Sequence, residues 1–263
     1  MAVRVNREAF ADKVAIVTGA GSGIGAALCA ALVERGATVV ATDLRGTSIQ
    51  LDVRDPVAFS AAIDAVKAEH GRVDYLFNNA GILSVGEIRD LDISSWRNII
   101  ETNLFGAING TSAAYRVMAA QGFGHIVNVA SAAALIPSPL YAPYAASKAA
   151  VVALSQALRL EAKPLGVYVS IVCPGNVATG IFDSSEIVNP ERSDVFKDSP
   201  IGKVSADSAS ATILRGVERR MEFIVFPLSM RAMWWATRLH PRALDRLLSE
   251  VVRRFRLTRS AER

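Results

Sequence analysis

Short runs of β-branched and aromatic residues alternate with longer segments of helical period over most of this 263-residue chain. Lys13–Thr18 (KVAIVT), Ala37–Thr42 (ATVVAT), Val73–Phe77 (VDYLF), Gly124–Ala130 (GHIVNVA), Val167–Val172 (VYVSIV) and Glu222–Phe226 (EFIVF) read as buried strands. Between them Gly23–Arg35, Pro56–Glu69, Ser94–Ala119, Ala142–Lys163 and Ala206–Arg219 read as helices. Gly36 and Gly71 stand where two of these helices stop, and Pro56 stands where one starts. Alternation of this kind reads as βαβ units, an α/β fold with a parallel sheet covered on both faces. One connection is too short for this scheme. Only eight residues separate Asp43, at the end of the second strand, from Asp52. A parallel crossover usually takes roughly a dozen or more. The spacing predicts that the crossover helix is missing and that the third strand is an edge stub around Ile49–Leu51.

Composition narrows the class. Hydrophobic residues make up 51% and charged residues 21%, enough apolar side chain for a large core and too little charge for a disordered chain. No run of eighteen apolar residues suggests a membrane span, and MAVRVNREAFADK carries no apolar signal region. Cys29 and Cys173 each sit in an apolar run, and His70, His125 and His240 are far apart, so neither a disulfide framework nor a metal set is expected and a cytoplasmic setting fits. The net charge is +4, but nine arginines and three acids after Pro227 carry +6, leaving the rest at −2. A basic tail on a slightly acidic body does not read as a nucleic-acid surface. In that tail Leu244, Leu247, Leu248, Val251, Val252 and Phe255 recur at helical spacing with arginines between them, and Trp234 and Trp235 precede. Such a helix suits peripheral contact with anionic lipid. The same stripe suits packing on its own domain or on a neighbouring subunit.

The first strand runs into TGAGSGIG, Thr18 to Gly25, and then into a helix. Gly19, Gly21, Gly23 and Gly25 let the backbone turn tightly and approach a ligand. The new helix aims free N–H groups and its positive dipole end at the same place, which suits a phosphate. A glycine turn alone is a weak signal; the strand before it and the helix after it make this one stronger. Asp43 ends the next strand, where a carboxylate accepts hydrogen bonds from a ribose diol and repels a 2′-phosphate. This favours NAD over NADP, although Arg45 close by pulls the other way.

Tyr144 and Lys148 are four residues apart in a helical segment and share one face. An ammonium beside a phenol favours the phenolate, so this pair suits general acid–base work. Alone, the pair would be unremarkable surface residues. Ser131, at the end of a strand thirteen residues earlier, supplies a hydroxyl on the sheet edge where ligands of open α/β folds gather. Tyr141 is a rival phenol, but the residue four positions on is Ala145, not lysine.

TGAGSGIG, Asp52-Val53, NNAG (Asn78–Gly81), Asn103, the Ser131/Tyr144/Lys148 set and Pro174-Gly175 occur in this order. Together they resemble the short-chain dehydrogenase/reductases, over about Lys13 to Phe226. The resemblance implies a Rossmann-type doubly wound parallel sheet of about seven strands in one catalytic domain, residues 1–227, with 228–263 as a helical extension. It implies Tyr144 as catalytic acid/base, Lys148 as the residue that tunes it and binds the nicotinamide ribose, and Ser131 as the hydroxyl that orients substrate. Asn103 resembles the helix asparagine that holds a relay water. The cofactor would lie against Gly19, Gly21, Ser22, Gly23, Ile24, Gly25 and Asp43. Asp52 and Val53 would meet adenine. Asn79, Ala80 and Gly81 would line the middle of the cofactor, and Pro174, Gly175, Val177 and Thr179 would meet the carboxamide. The resemblance also implies hydride transfer between NAD, less readily NADP, and an alcohol or ketone, in a homodimer or homotetramer. Gly180–Val204 would be a substrate lid, and its apolar residues, with Leu135, Ile136, Pro137 and Leu140, point to a lipophilic substrate. Two other readings remain: a dinucleotide sensor without turnover, and a nucleotide-sugar epimerase or dehydratase, which would need a longer substrate domain.

Overall fold

A computed structural model describes residues 9–179, 186–187 and 203–260. Its centre is a seven-stranded parallel sheet formed by β1 (Val14–Thr18), β2 (Thr38–Asp43), β3 (Ile49–Gln50), β4 (Tyr75–Asn78), β6 (Gly124–Val129), β7 (Val167–Pro174) and β11 (Phe223–Phe226). Short strands β5 (Ser84–Val85) with β9 (Glu186–Ile187), and β8 (Val177–Ala178) with β10 (Val204–Ser205), form two small pairs beside it. The order across the main sheet is β11-β7-β6-β4-β1-β2-β3, so the chain reverses its direction of travel between β1 and β4. A crevice opens at the carboxyl ends of the strands at such a reversal.

The expected edge stub is present. β3 pairs with the last residues of β2, Thr42 opposite Ile49 and Asp43 opposite Gln50. The Leu51 N–H then returns to the Asp43 carbonyl at 2.8 Å, fixing the short link without a helix.

Two helical layers bury the sheet. On one face lie α2 (Pro56–His70), α4 (Gly106–Gln121) and α5 (Ala142–Ala162), where Phe59, Ile63, Met118 and Leu158 meet Ile16, Leu76 and Ile126. On the other lie α1 (Gly23–Val33) and α6 (Ala206–Glu218), where Leu28, Leu32, Ile213 and Val217 meet Val17, Phe77 and Val172. Each such fully buried side chain stabilises the fold by roughly 1.5–3 kcal/mol. Local signals set the ends of these helices. At α2 the Asp55 carboxylate accepts from the Val57 and Ala58 N–H groups, Pro56 opens the first turn, and Gly71 ends the helix at φ 73°.

The segment read as one long helix, Ser94–Ala119, is divided. α3 (Ile93–Ile100) passes into a π turn over Glu101–Phe105 and then into α4. The extra residue in that turn leaves the hydrophobic period nearly intact, so the pattern did not reveal it. The turn holds Asn103 in the interior at 1% exposure. Beyond it the helix passes close to the loop after β3. A Cβ on Gly106 would lie 2.7 Å from a Val53 methyl carbon, so this position has room only for glycine.

After β11 come α7 (Leu228–Leu239) and α8 (Asp245–Ser260). The expected lid, Gly180–Val204, lies outside the described residues except for β9, Lys203 and Val204. No helix among the described residues is long and apolar enough to cross a membrane.

Candidate active site

The crevice at the sheet reversal holds a cavity of about 410 Å³. Its floor is the glycine turn. Gly19 (φ 64°) and Gly23 (φ 54°) are in the left-handed region, which L side chains rarely adopt. Gly25 is where α1 lies on the turn: a Cβ there would sit 2.0 Å from the Gly19 carbonyl oxygen and 2.7 Å from Asn79 Nδ2. Ser22 caps α1 without a side-chain hydrogen bond, and no acid occupies the first turn. The N–H groups of that turn therefore face the cavity free to receive an anion.

Asp43 stands on the rim beside this turn. One carboxylate oxygen accepts the Gly21 N–H at 2.8 Å and the other the Leu44 N–H at 2.7 Å, so the carboxylate is held in place. Further along the rim Asp52 is gripped by Arg54, whose Nε and Nη2 donate at 2.9 and 2.6 Å. That side-chain hydrogen bond holds the Asp52 carboxyl below its ordinary range, burial opposing it. Arg54 lines the cavity and was not among the expected residues; its place two positions after Asp52 was the available signal.

The loop after β4 is tied to the glycine turn through Thr18. Its Oγ1 accepts the N–H groups of Asn79 and Ala80, each at 3.0 Å, while Asn79 Nδ2 donates to the Thr18 carbonyl at 3.0 Å. Beneath the crevice a buried polar chain joins sheet to helix. Asn78 Nδ2 donates to Asn128 Oδ1, and Asn128 Nδ2 donates to Ser155 Oγ in α5, both at 2.8 Å. This buried chain ties the strand ends to α5, although Asn78 Oδ1 within it has no hydrogen-bond partner among the described residues.

Tyr144 and Lys148 come from the first turns of α5 and both line the cavity, as their spacing required. Lys148 is 4% exposed. Its ammonium donates to the Val129 carbonyl at 2.8 Å and lies 5.8 Å from the centre of the Tyr144 ring. Burial pushes that ammonium from its ordinary 10.5 down to about 8, with the Cys173 thiol opposing. Ser131 begins a short 3-10 turn, Ala132–Ala134, just after β6, and its hydroxyl accepts the Ala133 N–H at 3.1 Å. The same hydroxyl is near enough to the Tyr144 phenol to favour its phenolate.

One expectation needs correction. The sequence suggested that Lys148 would acidify Tyr144. Burial is the largest influence and raises the phenol above its ordinary value; the nearby Ser131 hydroxyl is the influence that lowers it. The reason is desolvation: Lys148 is buried and Tyr144 half-buried beside it, so their charged forms are disfavoured together. Asn103 also sits differently from a water holder by its side chain. Its Oδ1 accepts the Ile82 N–H at 2.8 Å, and its Nδ2 donates to the Ile82 carbonyl at 2.9 Å and to Ser147 Oγ at 3.2 Å. The amide is occupied in tying the loop after β4 to α5.

Of the other expected residues, Gly19, Ser22, Gly23, Ile24, Val53, Ala80, Gly81, Pro174 and Thr179 line the cavity. Gly175 and Val177 do not, because the chain alternates there. The Gly175 N–H bonds the Phe226 carbonyl at 2.8 Å, and Val177 is buried where β8 meets β10. Leu44, Ile82, Asn98 and Thr102 line the cavity without having been singled out.

The family profile described as short chain dehydrogenase matches residues 13–187. The chain belongs to that family. It is 32% identical to SadH of Mycobacterium tuberculosis over 268 residues, which is 94% of this chain and 97% of that one. It is 31% identical to the 3-oxoacyl-[acyl-carrier-protein] reductase FabG of Salmonella typhimurium over 209 residues, 74% of this chain and 85% of that one. Among solved structures, a short-chain dehydrogenase/reductase from Burkholderia phymatum in complex with NAD superposes with a TM-score of 0.78 at 27% identity, covering 86% of this chain and 92% of that one. A short-chain dehydrogenase from Streptomyces avermitilis gives 0.78 at 28% identity, over 95% and 98% of the two chains. These likenesses place the protein among the Rossmann-type oxidoreductases of the short-chain dehydrogenase family, as its motifs implied.

Proposed function

We propose that the protein oxidises a secondary alcohol or reduces the matching ketone with a nicotinamide cofactor, using Tyr144 as the acid/base. The observation that carries this reading is the convergence of Tyr144 and Lys148 on the lining of the same crevice that the glycine turn floors, with the Lys148 ammonium 5.8 Å from the Tyr144 ring centre. The residues fit a dinucleotide. Free N–H groups at the start of α1 suit the pyrophosphate, and the fixed Asp43 carboxylate suits an unphosphorylated ribose, so NAD is the proposed cofactor. The cofactor supplies the site that gives or takes the hydride.

The chain's own groups handle the proton and the charge. In reduction the Tyr144 hydroxyl donates its proton to the carbonyl oxygen as that carbon gains the hydride. Ser131 holds the same oxygen, and the buried Lys148 ammonium stabilises the phenolate left behind. In oxidation the phenolate takes the proton from the carbinol. Because burial favours the neutral phenol, it stands ready as a donor at neutral pH, and alcohol oxidation should speed up as the medium becomes alkaline. Asn103 is proposed to act by positioning, fastening Ile82 against α5.

The substrate is proposed to be lipophilic, since Leu83, Val85 and Leu140 form a buried apolar cluster on which Tyr144 packs. The exposed small residues Ala146, Ala149 and Ala153 along α5 favour close approach of a second subunit, in line with a homodimer or homotetramer. A cytoplasmic location fits this reading. The exposed Leu228, Trp235 and Leu239, set among arginines of α7, offer a surface for anionic lipid. The test is a panel of secondary alcohols and ketones of graded polarity with NAD(H) and NADP(H), followed at the nicotinamide absorbance. Turnover of apolar members with NAD supports the proposal; binding of NAD with no turnover of any member refutes it.

A further inference from the structure

The basic tail carries an observation that neither its composition nor the family explains. α8 packs on the loops beside Tyr144. Phe255 is 0% exposed and packs in one cluster with Leu83, Val85 and Leu140. Tyr141, Tyr144 and Val251 pack against the same cluster. Two of these contacts come from loops fixed by the site itself. Leu83 follows Ile82, which Asn103 holds, and Leu140 precedes the helix that carries Tyr144. The loops are joined to each other, since the Gly86 N–H bonds the Leu140 carbonyl at 2.9 Å. Leu140 is held at φ 72°, a conformation unfavourable for a leucine that persists only where its surroundings enforce it.

A second contact fastens the helix. Glu87 is 8% exposed, and its carboxylate lies between two guanidinium groups. Arg89 Nη2 donates to one oxygen at 2.6 Å, and Arg256 Nε, from α8, donates to the other at 2.6 Å. Arg256 is the next residue after Phe255, so the aromatic insertion and the ion pair secure the same turn of helix. An amphipathic stripe can bury itself on any apolar patch, but a charge-assisted hydrogen bond to a nearly buried acid selects one orientation.

We propose that Phe255 is the specificity-determining plug of the substrate pocket, filling apolar space beside Tyr144 and so limiting the size of the group that flanks the reacting carbon. The Glu87–Arg256 pair holds the plug in place. This inference rests on the reading of Tyr144 as the group that meets the substrate. Shortening the side chain at 255 opens volume in that cluster, and larger apolar ketones gain contacts that the native protein denies them.

The test uses the full-length protein with NAD and a series of methyl ketones whose second substituent grows from ethyl to phenethyl. Calorimetry reports affinities in a Tyr144→Phe background, and kinetics report kcat/KM with Tyr144 present. Phe255→Ala is expected to raise the affinity ratio of the largest to the smallest ketone about tenfold or more, in line with the yield of an enlarged apolar pocket. NAD affinity should stay within about twofold, since Phe255 is outside the cofactor crevice. Phe255→Leu, a milder change for the fold, should shift the same ratio in the same direction by less. An unchanged ratio in either folded variant overturns the plug, as does binding of no ketone by any of the proteins. A shifted affinity ratio without turnover in the Tyr144 proteins upholds the plug and sinks the oxidoreductase reading.

Discussion

Replacing Lys148 with methionine should make the ligand-free protein more stable while abolishing its turnover. Lys148 is 4% exposed, and its ammonium is depressed from 10.5 to about 8 chiefly by desolvation. At about 1.4 kcal/mol per pKa unit, holding the charge in the fold at pH 7 costs about 3 kcal/mol relative to the unfolded chain. Methionine has a similar length and no charge. It abandons one hydrogen bond, from Nζ to the Val129 carbonyl at 2.8 Å, which is worth about 1 kcal/mol. The net expectation at pH 7 is a gain of about 2 kcal/mol. The pH dependence has a definite sign. Between the folded value of about 8 and the unfolded value of 10.5, the native wild type binds fewer protons than its unfolded chain. Its stability therefore rises with pH in that window, by up to about 1.4 kcal/mol per unit, and the advantage of the variant shrinks. Urea unfolding of both proteins without cofactor, at pH 7 and pH 9.5, gives the two differences. A gain at pH 7 that nearly vanishes at pH 9.5 is expected. A Lys148→Met protein less stable at pH 7, or a difference that does not change with pH, would refute the reasoning.

Two further perturbations test the cofactor end. Asp43→Ser removes the carboxylate that would repel a 2′-phosphate, so the ratio of kcat/KM with NADP to that with NAD should rise about tenfold or more; an unchanged ratio removes Asp43 from cofactor choice. Gly25→Ala places a methyl 2.0 Å from the Gly19 carbonyl oxygen, forcing the turn open. It should cost about 1–3 kcal/mol of stability and weaken NAD binding, measured by thermal unfolding and fluorescence titration; a variant matching the wild type in both would mean that α1 does not lie on the turn as described.

The parts of the fold that follow from local rules were legible in the sequence. Strand and helix periods located the sheet, and the eight residues between Asp43 and Asp52 were enough to expect the edge stub at Ile49. The spacing of Tyr144 and Lys148 put both side chains on the cavity lining because helix geometry leaves them little choice, and the position of Ser131 after a strand put it at the end of β6, where the short 3-10 turn begins. What was hidden depends on the tertiary environment. The π turn at Glu101–Phe105 keeps the hydrophobic pattern and adds a single residue, so only the packing of Asn103 and Gly106 discloses it. The phenol of Tyr144 moves upward because its surroundings desolvate it, a quantity that a Tyr-x-x-x-Lys spacing does not contain. The tail was readable as amphipathic, but its partner was not. The stripe is satisfied by any apolar surface, and only the contacts of Phe255 with Leu83, Val85 and Leu140, and of Arg256 with Glu87, decide where it lies.

If the Tyr144 hydroxyl moves the proton of the reaction, steady-state turnover of Tyr144→Phe on a ketone or alcohol that the wild type uses will show it, with NAD affinity measured in parallel. NAD binding should stay within about threefold of the wild type while turnover falls by about a hundredfold to ten-thousandfold, the contribution of a well-placed acid/base. Turnover near that of the wild type, in a variant that binds NAD normally, would contradict it.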